Sequence, residues 1–290
     1  MSLLTAGCTT GTDQGPSPIR FTDLSSEVGL DFAHVSGTPQ QRFIIESMGG
    51  GAAFLDYDGD GYLDAFVVDG TRVDAPPPES TNRLFHNIPS VDGSWRRFEE
   101  ITEAAGLRRS GWGMGVAAGD YDSDGHVDLY VTYWGPNALY HNDGRGMFTD
   151  VTRAAGVGDP RWGTSVAFGD LDADGDLDLY VANYLEFDLE APPNDGKPCS
   201  GWKGLDVFCG PHGLRSQADV LYRNDGMDGF SDVSRQTGVG EHHHPALGVL
   251  FADLDNDGDQ DLYVANDSRP NLLFRNDGDW RLTEVAAGAG

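Results

Sequence analysis

Positive charge is scarce in this chain. Among 290 residues there are 19 Lys and Arg against 47 Asp and Glu, a formal charge of −28. A surface this acidic repels nucleic acid and anionic lipid and suits cations instead. No run of 18 apolar residues occurs, which excludes a membrane-spanning helix. No Ser-His-Asp order, nucleophile elbow or phosphate-binding glycine loop is found, and no Cys/His cluster has zinc spacing. Cysteine is nearly absent: Cys8, Cys199 and Cys209 are all there is. Cys199 and Cys209 share one Gly- and Pro-rich insertion, Pro198 to Pro211. That suits either a disulfide formed in an oxidising compartment or two free thiols. Cys8 follows Leu4, Thr5, Ala6 and Gly7, like the end of a bacterial lipoprotein signal. Thr5 stands where Leu is usual, and the charged and apolar parts of a signal are missing, so lipidation and its absence both stay open. Thr9 to Pro18 reads as a flexible tether, making residues 1–18 a linker ahead of a domain over 19–290.

What is plentiful is glycine, 40 residues, and aspartate in short clusters between apolar runs. Tight turns between strands predict an all-β chain rather than a disordered acidic one. Four segments align without gaps: Gly51–Asp64, Gly115–Asp128, Ser165–Asp178 and Gly248–Asp261. Each carries an Asp-x-Asp-x-Asp-Gly-x-x-Asp loop and runs into a β-rich segment. A second signature follows at Asn82–Asn87, Asn137–Asn142, Asp219–Asn224 and Asn271–Asn276. Three copies lead into Asp143-Gly144, Asp225-Gly226 and Asp277-Gly278, a strong hairpin signal. A third signature closes each unit at Phe98–Thr102, Phe148–Thr152, Phe230–Ser234 and Leu282–Val285.

Four short antiparallel strands on a period of about 50 residues, lengthened by insertions, make a propeller blade. Four complete blades are expected near 48–106, 111–157, 161–239 and 245–287. The strand before each acidic loop is rich in Gly, Ala, Ser and Val, as the crowded innermost strand requires. Ile19–Leu24 matches the third signature, so residues 19–26 are expected to be an outer strand of a preceding blade. The last blade already has its own outer strand. This phase implies a fragment of a larger ring, an irregular pairing of the first strand, or a closed four-bladed ring that leaves it spare. Insertions at Thr71–Thr81 and Tyr184–Ala218 are candidate partner contacts.

Four carboxylates within nine residues repel one another, and a hard divalent cation removes that cost. Ca²⁺ takes six to eight oxygens in irregular geometry, whereas Mg²⁺ demands a stricter octahedron. The expected ligands are Asp56, Asp58, Asp60 and Asp64; Asp120, Asp122, Asp124 and Asp128; Asp170, Asp172, Asp174 and Asp178; and Asp253, Asp255, Asp257 and Asp261. Position 7 (Tyr62, His126, Asp176, Asp259) is expected to offer its backbone carbonyl. Gly61, Gly125, Gly175 and Gly258 permit the bend. About four Ca²⁺ ions would move the charge from −28 to about −20. An EF-hand needs Glu at position 12 between helices; here Val67, Val131, Val181 and Val264 stand inside β runs.

The motifs resemble the FG-GAP/VCBS repeats of integrin α-subunit propellers. More closely, Phe21 to Val285 resembles the propeller of the cartilage acidic protein / ASPIC–UnbV family. The resemblance rests on Phe21–Leu24, the run Met48–Gly61, Tyr140–Gly144, Cys199 with Phe208–Pro211, and Tyr263–Asn271. It implies an extracytoplasmic protein, and the segment before Cys8 makes the expectation a bacterial-type one (secreted, periplasmic or a cell-surface lipoprotein). It also implies a ring of roughly seven blades and a further C-terminal domain. Glu241-His242-His243-His244 departs from it, and is read as a surface loop or a transition-metal site. Two functions are weighed. One is a non-catalytic calcium-binding scaffold for adhesion, with a protein or glycan ligand. The other is a hydrolase or lyase acting on polysaccharide at the propeller channel, with an acid/base pair drawn from residues such as Glu46, Glu99 or Glu100.

Overall fold

The computed structural model describes residues 20–73, 80–93, 95–211 and 213–289. The tether with Cys8, and part of the first insertion, fall outside them. Four antiparallel four-stranded sheets follow one another along the chain. The first holds β1 (Ala52–Leu55), β2 (Asp64–Val67), β3 (Arg83–Pro89) and β4 (Arg96–Glu100). The second holds β5 (Gly113–Gly119), β6 (Asp128–Tyr133), β7 (Gly135–Asn142) and β8 (Phe148–Asp150). In the third, β9 (Gly163–Gly169) and β10 (Asp178–Asn183) are separated from β13 (Val220–Asn224) and β14 (Phe230–Asp232) by an inserted hairpin, β11 (Cys199–Trp202) and β12 (Leu205–Val207). The fourth holds β15 (Ala246–Ala252), β16 (Asp261–Asn266), β17 (Leu272–Asn276) and β18 (Leu282–Glu284).

The registers repeat. Ala53 pairs with Phe66 and Phe66 with Leu84; Ala117, Tyr130 and Leu139 do the same in the second sheet, Ala167, Tyr180 and Leu221 in the third, and Leu250, Tyr263 and Leu273 in the fourth. Each sheet is therefore a propeller blade, as the repeats predicted. The inner strands pack in series, β1 on β5, β5 on β9 and β9 on β15. Crowding there is tight. A Cβ on Gly51 would come within 3.0 Å of the Gly115 Cα, and one on Gly115 within 2.8 Å of the Thr164 carbonyl. This is the physical reason for small residues on the inner strand.

The core lies between blades. Leu55, Phe66, Val68 and Leu84 of blade 1 meet Leu129, Val131 and Tyr140 of blade 2. Tyr130 and Leu139 meet Leu179, Val181 and Val220 of blade 3. Tyr180 and Leu221 meet Leu262, Val264 and Phe274 of blade 4. Blade 4's other side stays uncovered among the described residues, with Leu247, Leu250 and Leu254 exposed.

The opening segment differs from the expectation. Residues 20–24 form no strand, and Phe21 is 95% exposed. They lead into a one-turn helix, α1 (Ser25–Val28). Its counterparts are α2 (Thr152–Ala155), α3 (Ser234–Thr237) and α4 (Ala286–Ala289), which follow the outer strands of blades 2, 3 and 4. The third signature encodes this turn as well as the strand. Asp23 Oδ1 accepts from the Ser25 N–H and O–H just as Asp150 does from Thr152 and Asp232 from Ser234. A strand needs a neighbouring edge to pair with, whereas the side-chain cap is local and forms without one. Helix α1 rests on β4, and Gly29 abuts the Phe98 carbonyl.

Candidate functional site

The four acidic loops connect the first and second strands of their blades. They therefore lie at the opposite end of the sheets from the second-to-third-strand insertions. All four are built alike. The position 1 carboxylate (Asp56, Asp120, Asp170, Asp253) accepts from the N–H groups of positions 5 and 6, at 2.9 to 3.2 Å. Position 5 (Asp60, Asp124, Asp174, Asp257) accepts from the position 7 N–H at 2.8 to 3.0 Å. Position 9 (Asp64, Asp128, Asp178, Asp261) is buried. One oxygen accepts from the position 2 N–H (Tyr57, Tyr121, Leu171, Leu254), and the other from the N–H of an Asn on the third strand (Asn87, Asn142, Asn224, Asn276). These donors hold the carboxylates from behind and curl the loop around them.

The glycine at position 6 has φ of +85° to +100° in all four loops, as the bend requires. Position 4 is also left-handed, at Gly59, Ser123, Ala173 and Asn256. The varied residue types there hid this feature in the sequence. Three of the four are not glycine and carry a conformational cost.

The loops bring together Asp56, Asp58 and Asp64; Asp120, Asp122 and Asp124; and Asp170, Asp172 and Asp178, each set with ligand oxygens within 4.8 Å of one another. Such clusters could hold a metal ion. Burial pushes Asp128 and Asp178 up to about 7 and raises Asp64. Burial first, and then neighbouring loop carboxylates, raise Asp122 and Asp172 as well. A carboxylate cluster that resists ionising is one that a cation stabilises.

Three features escaped the sequence reading. The first is the Asn carboxamide. Asn142 Nδ2 donates to the Tyr57 carbonyl, Asn224 to Tyr121 and Asn276 to Leu171, each linking a blade to the loop of the blade before it. The Asn that ends every copy of the second signature was its visible trace. The second is the pair of histidines preceding two of those Asn residues. His86 Nε2 lies 3.1 Å from Asp58, and His141 Nδ1 lies 3.2 Å from Asp122. The third is an aromatic cluster at the other end of the blades. There Trp112, Trp162, Tyr184, Leu185 and Phe187 pack with Ile44 and Ile45. The 184–218 insertion supplies part of it. Cys199 and Cys209 are disulfide-bonded there, with Cα atoms 5.0 Å apart. A cleft of about 620 Å³ beside this cluster is lined by Trp134, Arg161, Glu186, Phe187, Asp188 and Gln217, among others.

The carboxylates named for an acid/base pair do not converge. Glu46 is fully buried and accepts from the Thr38 N–H and O–H and the Phe43 N–H. Glu100 pairs with Arg83 at 2.8 Å. Glu99 and Glu100 are adjacent on β4 and so face opposite sides of the sheet. The three consecutive histidines also separate: His242 and His244 line one cleft with Tyr263 and Glu284, and His243 lines another with Arg161 and Asp219.

Fold and loops together define a β-propeller of acidic-loop repeats. The FG-GAP-like repeat family model matches residues 56–131, 120–181 and 204–264, and the chain belongs to that family. A search of curated proteins returned no match. Among solved structures, an N-acetylglucosamine-recognising lectin of Agrocybe aegerita is 16% identical over 80% of this chain and 50% of its own, with a TM-score of 0.38. The Photorhabdus luminescens Tc holotoxin pore is 18% identical over 82% of this chain and 9% of its own, at 0.31. The Vibrio cholerae biofilm matrix protein Bap1 is 15% identical over 80% of this chain and 38% of its own, at 0.29. The chain spans half or less of the length of each. No described helix is long and apolar enough to cross a membrane.

Proposed function

We propose that this chain is a calcium-stiffened, non-catalytic interaction scaffold of the cartilage acidic protein / ASPIC–UnbV type, working outside the cytoplasm. The observation that carries this is the fourfold repetition of one loop lattice, with carboxylates at positions 1, 5 and 9 held by backbone donors and a fourth at position 3 of the same loop. The loops' own donors are all oxygen, and at that density they suit Ca²⁺. Each ion would tie the first two strands of a blade together and, through the Asn bridge, stiffen the contact with the next blade. The disulfide supports the location, since such bonds persist in oxidising compartments. The ligand surface is assigned to the insertion end, where the aromatic cluster and its cleft lie away from the metal loops. The occupant of that cleft is a protein or glycan.

The test is thermal unfolding in excess Ca²⁺ and in EGTA. Ca²⁺ is expected to raise the melting temperature strongly, because an ion bound only by the folded state stabilises it by mass action. An unchanged melting temperature refutes the calcium assignment. For the scaffold, glycan-array or pull-down binding without turnover is expected. Hydrolysis lost on mutating a carboxylate outside the loops would reverse the choice.

A further inference from the structure

The third strand of each blade carries a basic residue followed by Asn. That residue is His86 in blade 1, His141 in blade 2, Arg223 in blade 3 and Arg275 in blade 4. It varies together with loop position 2, which is Tyr57, Tyr121, Leu171 and Leu254 in the same order. Tyrosine goes with histidine, and leucine with arginine. The tyrosine ring meets the imidazole edge-on, at 5.3 Å in blade 1 and 6.4 Å in blade 2. It holds the imidazole over the acidic loop of its own blade.

There the ring nitrogen approaches carboxylates closely. His86 Nε2 is 3.1 Å from Asp58 Oδ2. His141 Nδ1 is 3.2 Å from Asp122 Oδ2 and 3.4 Å from Asp128 Oδ1. Both nitrogen atoms are buried, yet neither makes a hydrogen bond. The distances suit one, so the direction is what fails: the nitrogen does not point at the oxygen. Nitrogen and oxygens are instead gathered in one small cluster. Donor atoms of Asp58, Asp60 and His86, and of Asp122, Asp128 and His141, lie within 4.8 Å of one another. Ligands at about 2.0–2.2 Å from one tetrahedral ion stand about 3.3–3.6 Å apart, close to these spacings. In blades 3 and 4 the arginine turns to the hairpin instead, Arg223 to Asp225 at 2.6 Å and Arg275 to Asp277 at 2.8 Å, and a guanidinium cannot ligate.

We propose that Asp58, Asp60 and His86, and separately Asp122, Asp128 and His141, each bind a divalent first-row transition ion of the zinc class. Imidazole beside two carboxylates favours Zn²⁺ or Co²⁺ over Ca²⁺, which takes oxygen. These sites use carboxylates that calcium would also need. At blades 1 and 2 the two ions therefore compete, while blades 3 and 4 offer oxygen donors alone. The assignment does not depend on the calcium reading and is measured in its absence.

The test is a Co²⁺ titration of metal-stripped protein carrying His242→Ala and His244→Ala, which removes the neighbouring imidazole pair on blade 4. Two equivalents with the intense visible bands of four- or five-coordinate Co²⁺ are expected. H86Q and H141Q should each remove one, weakening its binding at least tenfold, and excess Ca²⁺ should displace both in the parent. Retention of both equivalents in the double variant overturns the proposal. If a variant does not fold, X-ray absorption of the parent loaded with two Zn²⁺ decides instead. One imidazole per zinc supports the sites, and an all-oxygen shell overturns them. Calcium binding is read separately, from the Ca²⁺-induced rise in melting temperature of the H86Q/H141Q variant.

Discussion

Blades 1 and 2 hold a histidine over their acidic loops, whereas blades 3 and 4 hold an arginine that turns away to the hairpin. The four loops share the same backbone hydrogen bonds to their position 1, 5 and 9 carboxylates. The backbone plan of the repeat is thus separable from the chemistry at its rim. The lattice of N–H donors depends on Asp at positions 1, 5 and 9 and is identical throughout. What approaches the loop from the third strand differs by a single residue type and changes the donor set from mixed to oxygen-only. A second contrast concerns cover. Leu171 of blade 3 is 5% exposed under blade 4, whereas its counterpart Leu254 on blade 4 is 49% exposed.

The largest effect is expected where the blades agree. Burial holds Asp128 in blade 2 and Asp178 in blade 3 at about 7, against an ordinary value of 3.8. The folded chain then keeps protons that the unfolded chain has released. Stability of the metal-free protein is accordingly highest below about pH 4, falls as pH rises towards 7, and stays low above it. Melting curves in EGTA from pH 4.5 to 8 should show this decline. Ca²⁺ should oppose it increasingly over the same range, because the ion binds the ionised carboxylates. A metal-free melting temperature that rises across this window would contradict the assignment of both loops.

The contrast in cover gives the next effect. Leu171→Ala is expected to cost about 3 kcal/mol, since it leaves a cavity between blades 3 and 4. Leu254→Ala is expected to cost less than about 0.5 kcal/mol, since the side chain is half exposed. Urea unfolding of the two variants measures the difference. Equal costs would mean that the exposed side of blade 4 is covered in solution.

Much of this was legible from spacing. Four in-phase loops, a hairpin Asp-Gly and a run of small residues fix a blade, because strand period, turn chemistry and crowding at the axis each restrict residue type. The left-handed position 4 was not legible, since Ser123, Ala173 and Asn256 share no side-chain property that marks it. Nor was the failure of residues 20–24 to form a strand. Phe21 and Asp23 carry the local signature, but pairing depends on an edge that no local pattern encodes. The spacing of Cys199 and Cys209 left thiol and disulfide open. The proximity of His86 and His141 to the loops was hidden for another reason: it arises from pairing between the second and third strands, which places residues far apart in sequence side by side.

The smallest effect tests whether the Asn bridge works between blades. Asn224 Nδ2 donates to Tyr121 O in blade 2 at 2.7 Å and to Leu177 O in its own blade at 3.1 Å. Asn87 Nδ2 reaches only Leu63 O of its own blade, at 2.8 Å. The backbone N–H bonds to Asp178 and Asp64 survive in either alanine variant, so the comparison isolates the carboxamide. Removing a partner from a buried carbonyl costs about 1–3 kcal/mol. Asn224→Ala should therefore exceed Asn87→Ala by about 1 kcal/mol in urea unfolding at constant Ca²⁺. Its Ca²⁺-induced stabilisation should also fall, because Tyr121 is position 2 of the blade 2 loop and its carbonyl is what the bridge anchors. If the two variants cost the same, the carboxamide acts within its own blade, and blades 2 and 3 are held together by their apolar faces and the Trp134–Trp162 backbone bridge.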